Sequence, residues 1–435
     1  MGIYRVKKGR IMTGLNLETR SKNIIEVEGL KFKDLNDNGV LDPYEDWRLP
    51  AEVRAKDLAY RMTVEELAGN MVIKSQRMGL SQEDKEKTSH DGILDEEVYE
   101  DQNIFIGQMN LGSTGHIKDR HLRHFILRDN FSEKEIAEWV NALNEVAEET
   151  RLGIPVIVSS NSRNENAERT FGMNDAVGVF TTYPSTLGLA AVALGDKAAG
   201  YHPDGDYDYS IFTEFGEIAR DEWKYSGLRK GYMYMLDTAT DPRWQRFYGT
   251  FGEDTDLITE AGERLLESFQ GEKLGPESVA MTMKHFPGGG ARENGFDPHY
   301  EEGKFNVYRT EGSLEKYHLP PFKAAVDKNV YSIMPYYSIP AHDKSVVQNY
   351  KGERIPFEPV GFAFNEYFIQ DILRDDMGFD GYINSDSGIL DNMAWGVMHL
   401  PKEDRAAFAV NNGVDLISDT NESKWIIKAY EQGKI

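Results

Sequence analysis

Asp386 stands where an apolar run stops. Gly381-Tyr382-Ile383-Asn384-Ser385-Asp386-Ser387-Gly388 reads as a short buried strand. Tyr382 and Ile383 are strand formers, and Gly388 lets the backbone turn just past the acid. A lone acid in such a place most often caps the next helix. Here other apolar runs end in the same way: the third in Asn161, the fourth in Asp237, the fifth in Lys284 and His285, the sixth in Tyr337 and the eighth in Asp419. If these runs are parallel strands of one barrel, their tips converge on one face, where such folds keep their reacting groups. Arg246, in the loop after the fourth run, joins them. The set holds a carboxylate beside cations, which favours its ionised form, and can hydrogen-bond several hydroxyls at once. That is chemistry for a neutral polyol such as a sugar. A phosphate site would want a glycine-rich loop opening onto a helix. Gly288-Gly289-Gly290 comes nearest, but it runs into Ala291-Arg292-Glu293, which has no clear helix start.

A second constellation lies near the N-terminus. Asp34-Leu35-Asn36-Asp37-Asn38-Gly39-Val40-Leu41-Asp42-Pro43-Tyr44-Glu45 matches an EF-hand calcium loop position by position. Asp34, Asn36 and Asn38 occupy the first, third and fifth ligand positions. Gly39 supplies the sharp turn, Val40 a carbonyl, Asp42 the ninth position and Glu45 the bidentate twelfth. The loop is single and has no good incoming helix, so it reads as a structural calcium site and not as a sensor.

The elements that must position the strand tips alternate along the chain. Apolar runs at Met71–Lys74, Arg123–Leu127, Ile154–Asn161, Tyr232–Asp237, Val279–Phe286, Val330–Tyr337, Gly381–Asp386 and Val414–Asp419 are separated mostly by helical patterns. In one of these, Ser132 and Glu135 form a capping box ahead of Ile136, Trp139, Val140, Leu143 and Val146 at helical spacing. Eight such runs predict an α/β chain folded as a (β/α)8 barrel over residues 51–435, preceded by an N-terminal extension, residues 1–50, with the calcium loop. Residues 76–120 read as a long polar insertion, and the stretch around Tyr201 to Tyr209 as a glycine- and aspartate-rich loop.

Composition sets the outer limits. The chain has 435 residues and is 40% hydrophobic, enough for a sizeable core. It has no cysteine, which excludes disulfides, thiolate metal sites and cysteine nucleophiles. Its formal net charge of −24 disfavours nucleic acid and anionic membrane as partners. There is neither a ~18-residue apolar run nor a signal peptide. This leaves the cytoplasm open and, for a mature form with its leader removed, the periplasm or exterior.

Several motifs together resemble glycoside hydrolase family 3. They are Tyr183-Pro184-Ser185-Thr186-Leu187-Gly188-Leu189, Asp241-Pro242-Arg243-Trp244-Gln245-Arg246, Phe251-Gly252-Glu253-Asp254, Lys284-His285-Phe286-Pro287-Gly288-Gly289-Gly290 and Ser385-Asp386. The resemblance runs from about residue 50 to the end. It implies a retaining β-glycosidase, acting on β-linked glycosides or oligosaccharides, with Asp386 as nucleophile. It implies that Arg246, Lys284 and His285 bind the sugar and that Tyr337 lies beside the nucleophile. The family's aspartate at the third strand tip is Asn161 here, and the tryptophan that often follows the nucleophile is Ser387; Trp395 is either a replacement platform or a core residue. Two sources of the acid/base follow from the resemblance. One is a C-terminal α/β sandwich domain, on this chain's continuation or a second chain, that completes the site. The other is an Asp-x-His dyad like that of N-acetylhexosaminidase members, here Asp297 and His299. A barrel that binds sugar without hydrolysing it is the rival reading.

Overall fold

The computed structural model describes residues 17–98, 111–165, 179–198, 200, 207–420 and 422–435. Its centre is a closed barrel of eight parallel strands in chain order. These are β1 Val72–Gln76, β2 His124–Leu127, β3 Ile157–Ser160, β4 Lys230–Gly231, β5 Ala280–Phe286, β6 Ser332–Pro335, β7 Tyr382–Ser387 and β8 Leu416–Ser418. β8 closes on β1 with Ile417 opposite Val72. Among the described residues, α1 (Ala51–Arg61) and α2 (Val64–Asn70) precede the barrel. Around it follow α3 (Ser113–Lys118), α4 (Glu133–Glu148), α5 (Thr186–Ala198), α6 (Ser210–Tyr225), α7 (Thr255–Gln270) and α8 (Pro320–Asp327). A π-helical segment Tyr367–Asp376 comes after β6, α9 (Lys402–Asn411) after β7 and α10 (Lys424–Glu431) after β8.

The local rules behind these elements hold. Ser132 caps α4 with Glu135 in a reciprocal box, and the stripe Ile136, Trp139, Val140, Leu143 and Val146 is buried against the barrel. The fourth strand departs from expectation. Ladder bonding is confined to Lys230–Gly231, with one further bridge between Met235 and Lys284. Tyr232 turns into the barrel, where its hydroxyl lies 2.7 Å from Ser418 Oγ. Tyr234, two residues on, turns outward onto Phe215, Phe251 and Phe269. A regular pleat would put both on one face, so the ladder breaks between them. The chain still climbs to Asp237 at the top. The insertion over residues 76–120 folds as short turns, a small Thr88–Ser89/Leu94–Asp95 hairpin and α3; its residues 99–110 lie outside the described residues, as do 201–206 of the glycine- and aspartate-rich loop.

The N-terminal extension is an antiparallel hairpin, Asn23–Val27 with Leu30–Asp34, leading straight into the candidate calcium loop. Asp34 accepts the amides of Asn38 at 3.0 Å and Gly39 at 2.9 Å. Glu45 accepts those of Leu35 at 2.7 Å and Asp42 at 3.0 Å. The side-chain amides of Asn36 and Asn38 donate to Asp42, which Arg61 also grips at 2.8 Å. Val40 is exposed. The loop is therefore closed on its own amides, and among the described residues no three acids or histidines converge on a metal position.

Candidate active site

The mouth of the barrel gathers the predicted strand tips. Asp386, on β7, is 6% exposed. Its Oδ1 accepts the Ser387 amide at 2.8 Å, while its Oδ2 is buried without a hydrogen-bond partner, 3.7 Å from His285 Nε2. His285 gives its Nδ1 proton to Asp237 at 3.0 Å, and its Nε2 faces Arg246 Nη1 at 3.2 Å. Burial, and then the Arg246 charge, push the imidazole down to about 4. It is thus neutral near pH 7, with the Nδ1–H tautomer fixed by Asp237. Burial alone would raise the Asp237 carboxyl. His285, Arg246 and the Gly289 amide outweigh it and hold the group below its ordinary value.

With His285 neutral, Arg246 is the cation that faces the carboxylates. Burial opposes its charge, but the Tyr336 phenol and the carboxylates of Asp297, Asp386 and Asp237 hold it above the usual arginine value. Lys284 donates to the Tyr232 carbonyl at 2.6 Å and to Asn161 Oδ1 at 3.2 Å. Burial first, and then Arg246, bring its amine down to about 7. A carboxylate at the third strand tip would hold that proton more firmly; the amide of Asn161 does not. Tyr337, just past β6, lies beside Asp386. Burial and the Asp386 charge push its phenol far up, and its hydroxyl, too, has no well-formed hydrogen bond. Asp419 is different. It accepts the Ser75 amide at 2.7 Å, Ser387 Oγ at 2.8 Å and Arg128 at 3.2 Å. It ties four strand ends together and has no free oxygen for a substrate.

Asp297 and His299 form a hydrogen-bonded pair in the loop after β5. Asp297 is 3% exposed, and its second oxygen accepts Trp244 Nε1 at 2.8 Å and the Tyr336 hydroxyl at 3.1 Å. Burial would raise this carboxyl, yet His299, Arg246 and Trp244 hold it well below the carboxylate range. The His299 ring meets Tyr337 edge-on, with centroids 4.9 Å apart. Trp395 is buried, and its indole donates to the Pro298 carbonyl at 2.7 Å, fixing the residue between the pair. Sequence reasoning missed the supports, Tyr336 above all. That ring lies 4.3 Å from His285 and its hydroxyl reaches Asp297. Its place one residue before a strand-tip tyrosine carried no signal of its own.

The triple glycine, weighed above as a phosphate loop, has a steric reason instead. A Cβ on Gly289 would lie 2.5 Å from Asp237 Oδ1, and one on Gly290 would lie 1.8 Å from the Thr238 carbonyl oxygen. Only glycine lets this segment cross so close that the Gly289 amide reaches Asp237. Gly290→Ala should therefore cost about 1–3 kcal/mol in stability through overpacking, with a rise in KM as Asp237 and His285 shift. Thermal unfolding and steady-state kinetics on the purified variant would check both effects; a wild-type melting curve with wild-type KM would refute the steric reading.

Comparison with known proteins agrees with this geometry. The description "Glycosyl hydrolase family 3 N terminal domain" matches residues 93–435. A periplasmic beta-glucosidase/beta-xylosidase of Dickeya chrysanthemi is 35% identical, over 96% of this chain and 61% of its own length. A probable beta-glucosidase C of Aspergillus oryzae is 34% identical, over 90% of this chain and 56% of its own. The chain thus spans about three fifths of the curated relatives it matches. Among solved structures, a family 3 beta-N-acetylglucosaminidase from Paenibacillus superposes with a TM-score of 0.60 at 19% identity, covering 86% of this chain and 59% of that one. The Listeria innocua beta-glucosidase in complex with isofagomine also gives 0.60, at 20% identity, covering 89% and 44%. These two share the fold. With the family match running from residue 93 to residue 435, the chain belongs to glycosyl hydrolase family 3, whose N-terminal barrel it carries.

Proposed function

We propose that this barrel carries the catalytic centre of a retaining, exo-acting β-glycosidase for terminal β-D-glucosides or β-D-xylosides. The observation that supports it most is the buried outer oxygen of Asp386, unpartnered amid Arg246, His285 and Tyr337. In this reading Asp386 attacks the anomeric carbon, and the bond to the leaving oxygen breaks as an acid protonates it. The resulting glycosyl-aspartate ester is hydrolysed by water, activated by the same group acting as base. Asn161, Lys284, His285 and Arg246 hold the sugar hydroxyls, and the names of the Dickeya and Aspergillus relatives point to glucose and xylose. Turnover of aryl β-glucosides and β-xylosides, with the anomer of the first-formed sugar read by NMR, tests the reading. A β-anomer supports retention, and an α-anomer refutes it.

His299, oriented by Asp297, is the acid/base that the geometry favours within the barrel. The competing source is a C-terminal α/β domain, joined to this barrel or supplied by a second chain. It is favoured by the greater length of the relatives and by exposed apolar groups on the loops after β5, β6 and β7, namely Phe296, Tyr300, Val346, Val347 and Met398. For location we propose the periplasm, from the names of the Dickeya and Salmonella typhimurium relatives. No helix of the described residues is long and apolar enough to cross a membrane.

We also propose that the Asp34–Glu45 loop takes up calcium. Its spacing supports this, as does the Asp34 carboxylate gripping the amides of Asn38 and Gly39. Occupancy would require Asn36 and Asn38 to turn their carbonyl oxygens inward and Asp42 to leave Arg61. A chelator should lower the melting temperature of the calcium-loaded chain, because a ligand of the folded state alone stabilises it by mass action. An unchanged melting curve, with no metal in the purified protein, would rule the site out.

A further inference from the structure

Behind the active site lies a second cavity of about 510 Å³, between the loops that follow β4 and β5. None of its lining residues is Asp386, Lys284, His285, Arg246 or Tyr337. The two spaces share a wall: Thr240 Oγ1 donates to the Gly290 carbonyl at 2.8 Å, and His318 packs against Gly288.

The charges around this cavity do not balance. Asp241, the acid in its lining, is already engaged by Arg243 at 2.6 Å and 3.0 Å. Arg292 is 2% exposed, and its guanidinium donates only to neutral oxygens: Ser338 Oγ at 2.6 Å and the carbonyls of Gly303 and Phe305. Its Nε has no partner. A buried charge without a counter-ion is costly. Arg309, exposed and in the lining, adds a second guanidinium that makes no hydrogen bond or close ion pair among the described residues and feels only the more distant charge of Asp241, which Arg243 already holds. His318, 1% exposed, presents a buried Nδ1 that also lacks a partner. Such a cationic concavity stands out in a chain of net charge −24. Hydroxyls of Thr240, Thr310 and Ser313 and the ring of Tyr317 complete the lining. Guanidinium groups match carboxylates and phosphates, and the hydroxyls and aromatic ring suit a sugar body.

We propose that this cavity is a second binding site for a small hydroxylated anion, a sugar acid or a sugar phosphate, held by Arg292 and Arg309. The inference goes beyond the glycosidase reading and does not need it, because binding is read without turnover. Titrate the full chain calorimetrically with D-glucuronate, with glucose 6-phosphate and with D-glucose as the neutral control. At least one anion should bind at a single saturable site and weaken as salt rises; which one binds distinguishes carboxylate from phosphate. Arg309→Glu should weaken that binding at least ~10-fold with little change in the melting curve, since Arg309 is exposed and makes no hydrogen bond or close ion pair among the described residues. Arg309→Lys should retain most of it. Asp386→Asn should leave anion binding intact, as should saturation with glucose. The proposal is overturned if no anion binds, if Arg309→Glu has no effect, or if glucose displaces the anion, which would place it in the catalytic pocket. Loss of aryl glycoside turnover, by contrast, would count only against the glycosidase reading.

Discussion

Asp386→Ala should lose at least ~10⁴-fold in kcat on an aryl β-glucoside, the scale expected when a covalent nucleophile is removed. The geometry makes the prediction specific to this carboxylate. Asp237 spends both oxygens on His285 and Gly289, and Asp297 spends both on His299, Trp244 and Tyr336. Asp419 is bound by Ser75, Ser387 and Arg128. Of Asp237, Asp297, Asp386 and Asp419, Asp386 alone keeps an oxygen without a well-formed hydrogen bond, with the Tyr337 hydroxyl beside it. A 2-fluoro glycoside, which slows breakdown of the ester, should label the peptide that contains Asp386. Label on a peptide with another of these acids would overturn the assignment, whatever the kinetics of the alanine variant. Asp386→Asn is the companion control. It keeps the shape and removes the charge, so it should retain sugar binding while losing turnover.

The barrel was legible because its strands are buried on both faces and so read as continuous apolar runs with polar ends. Seven of the eight expected runs overlap the observed ladders, with boundaries shifted by a few residues at most. The fourth was misjudged because its apolar content is real but its direction changes. Tyr232 and Tyr234 look like one pleated face in sequence, yet one enters the barrel and the other packs among helices. The site shows the same division. Residues at strand tips announce themselves by position, so Asp386, Lys284, His285, Asn161 and Tyr337 could be singled out, and the structure brings them together at the barrel mouth. Their supports were not, because a hydrogen bond from Trp244 to Asp297, spanning 53 positions, leaves no local pattern. Whether Trp395 is a platform or a core residue was not legible either, because its indole bond to the Pro298 carbonyl joins distant parts of the chain.

His299→Ala should lose on the order of 10²–10⁴-fold on a substrate with a poor leaving group, such as an alkyl β-glucoside, and little on one with a good leaving group. An acid matters in proportion to the proton its leaving oxygen needs. The expectation rests on how the pair is held. Asp297 is held ionised and accepts from Nδ1, so that a doubly protonated His299 ring would present its far nitrogen as the proton donor. Trp244 and Tyr336 fix the aspartate from one side and Trp395 fixes the intervening Pro298 from the other, so the imidazole is held against Tyr337. Asp386 neighbours the same tyrosine, so Asp386 and His299 both border it. The opposite outcome is equally definite. If the chain as given cleaves only the activated substrate and His299→Ala changes neither rate, the proton comes from elsewhere. Adding the C-terminal domain should then restore cleavage of the alkyl glucoside. If instead the chain alone cleaves both substrates and His299→Ala removes only the alkyl activity, the barrel is self-sufficient and the apolar loops after β5, β6 and β7 serve another contact.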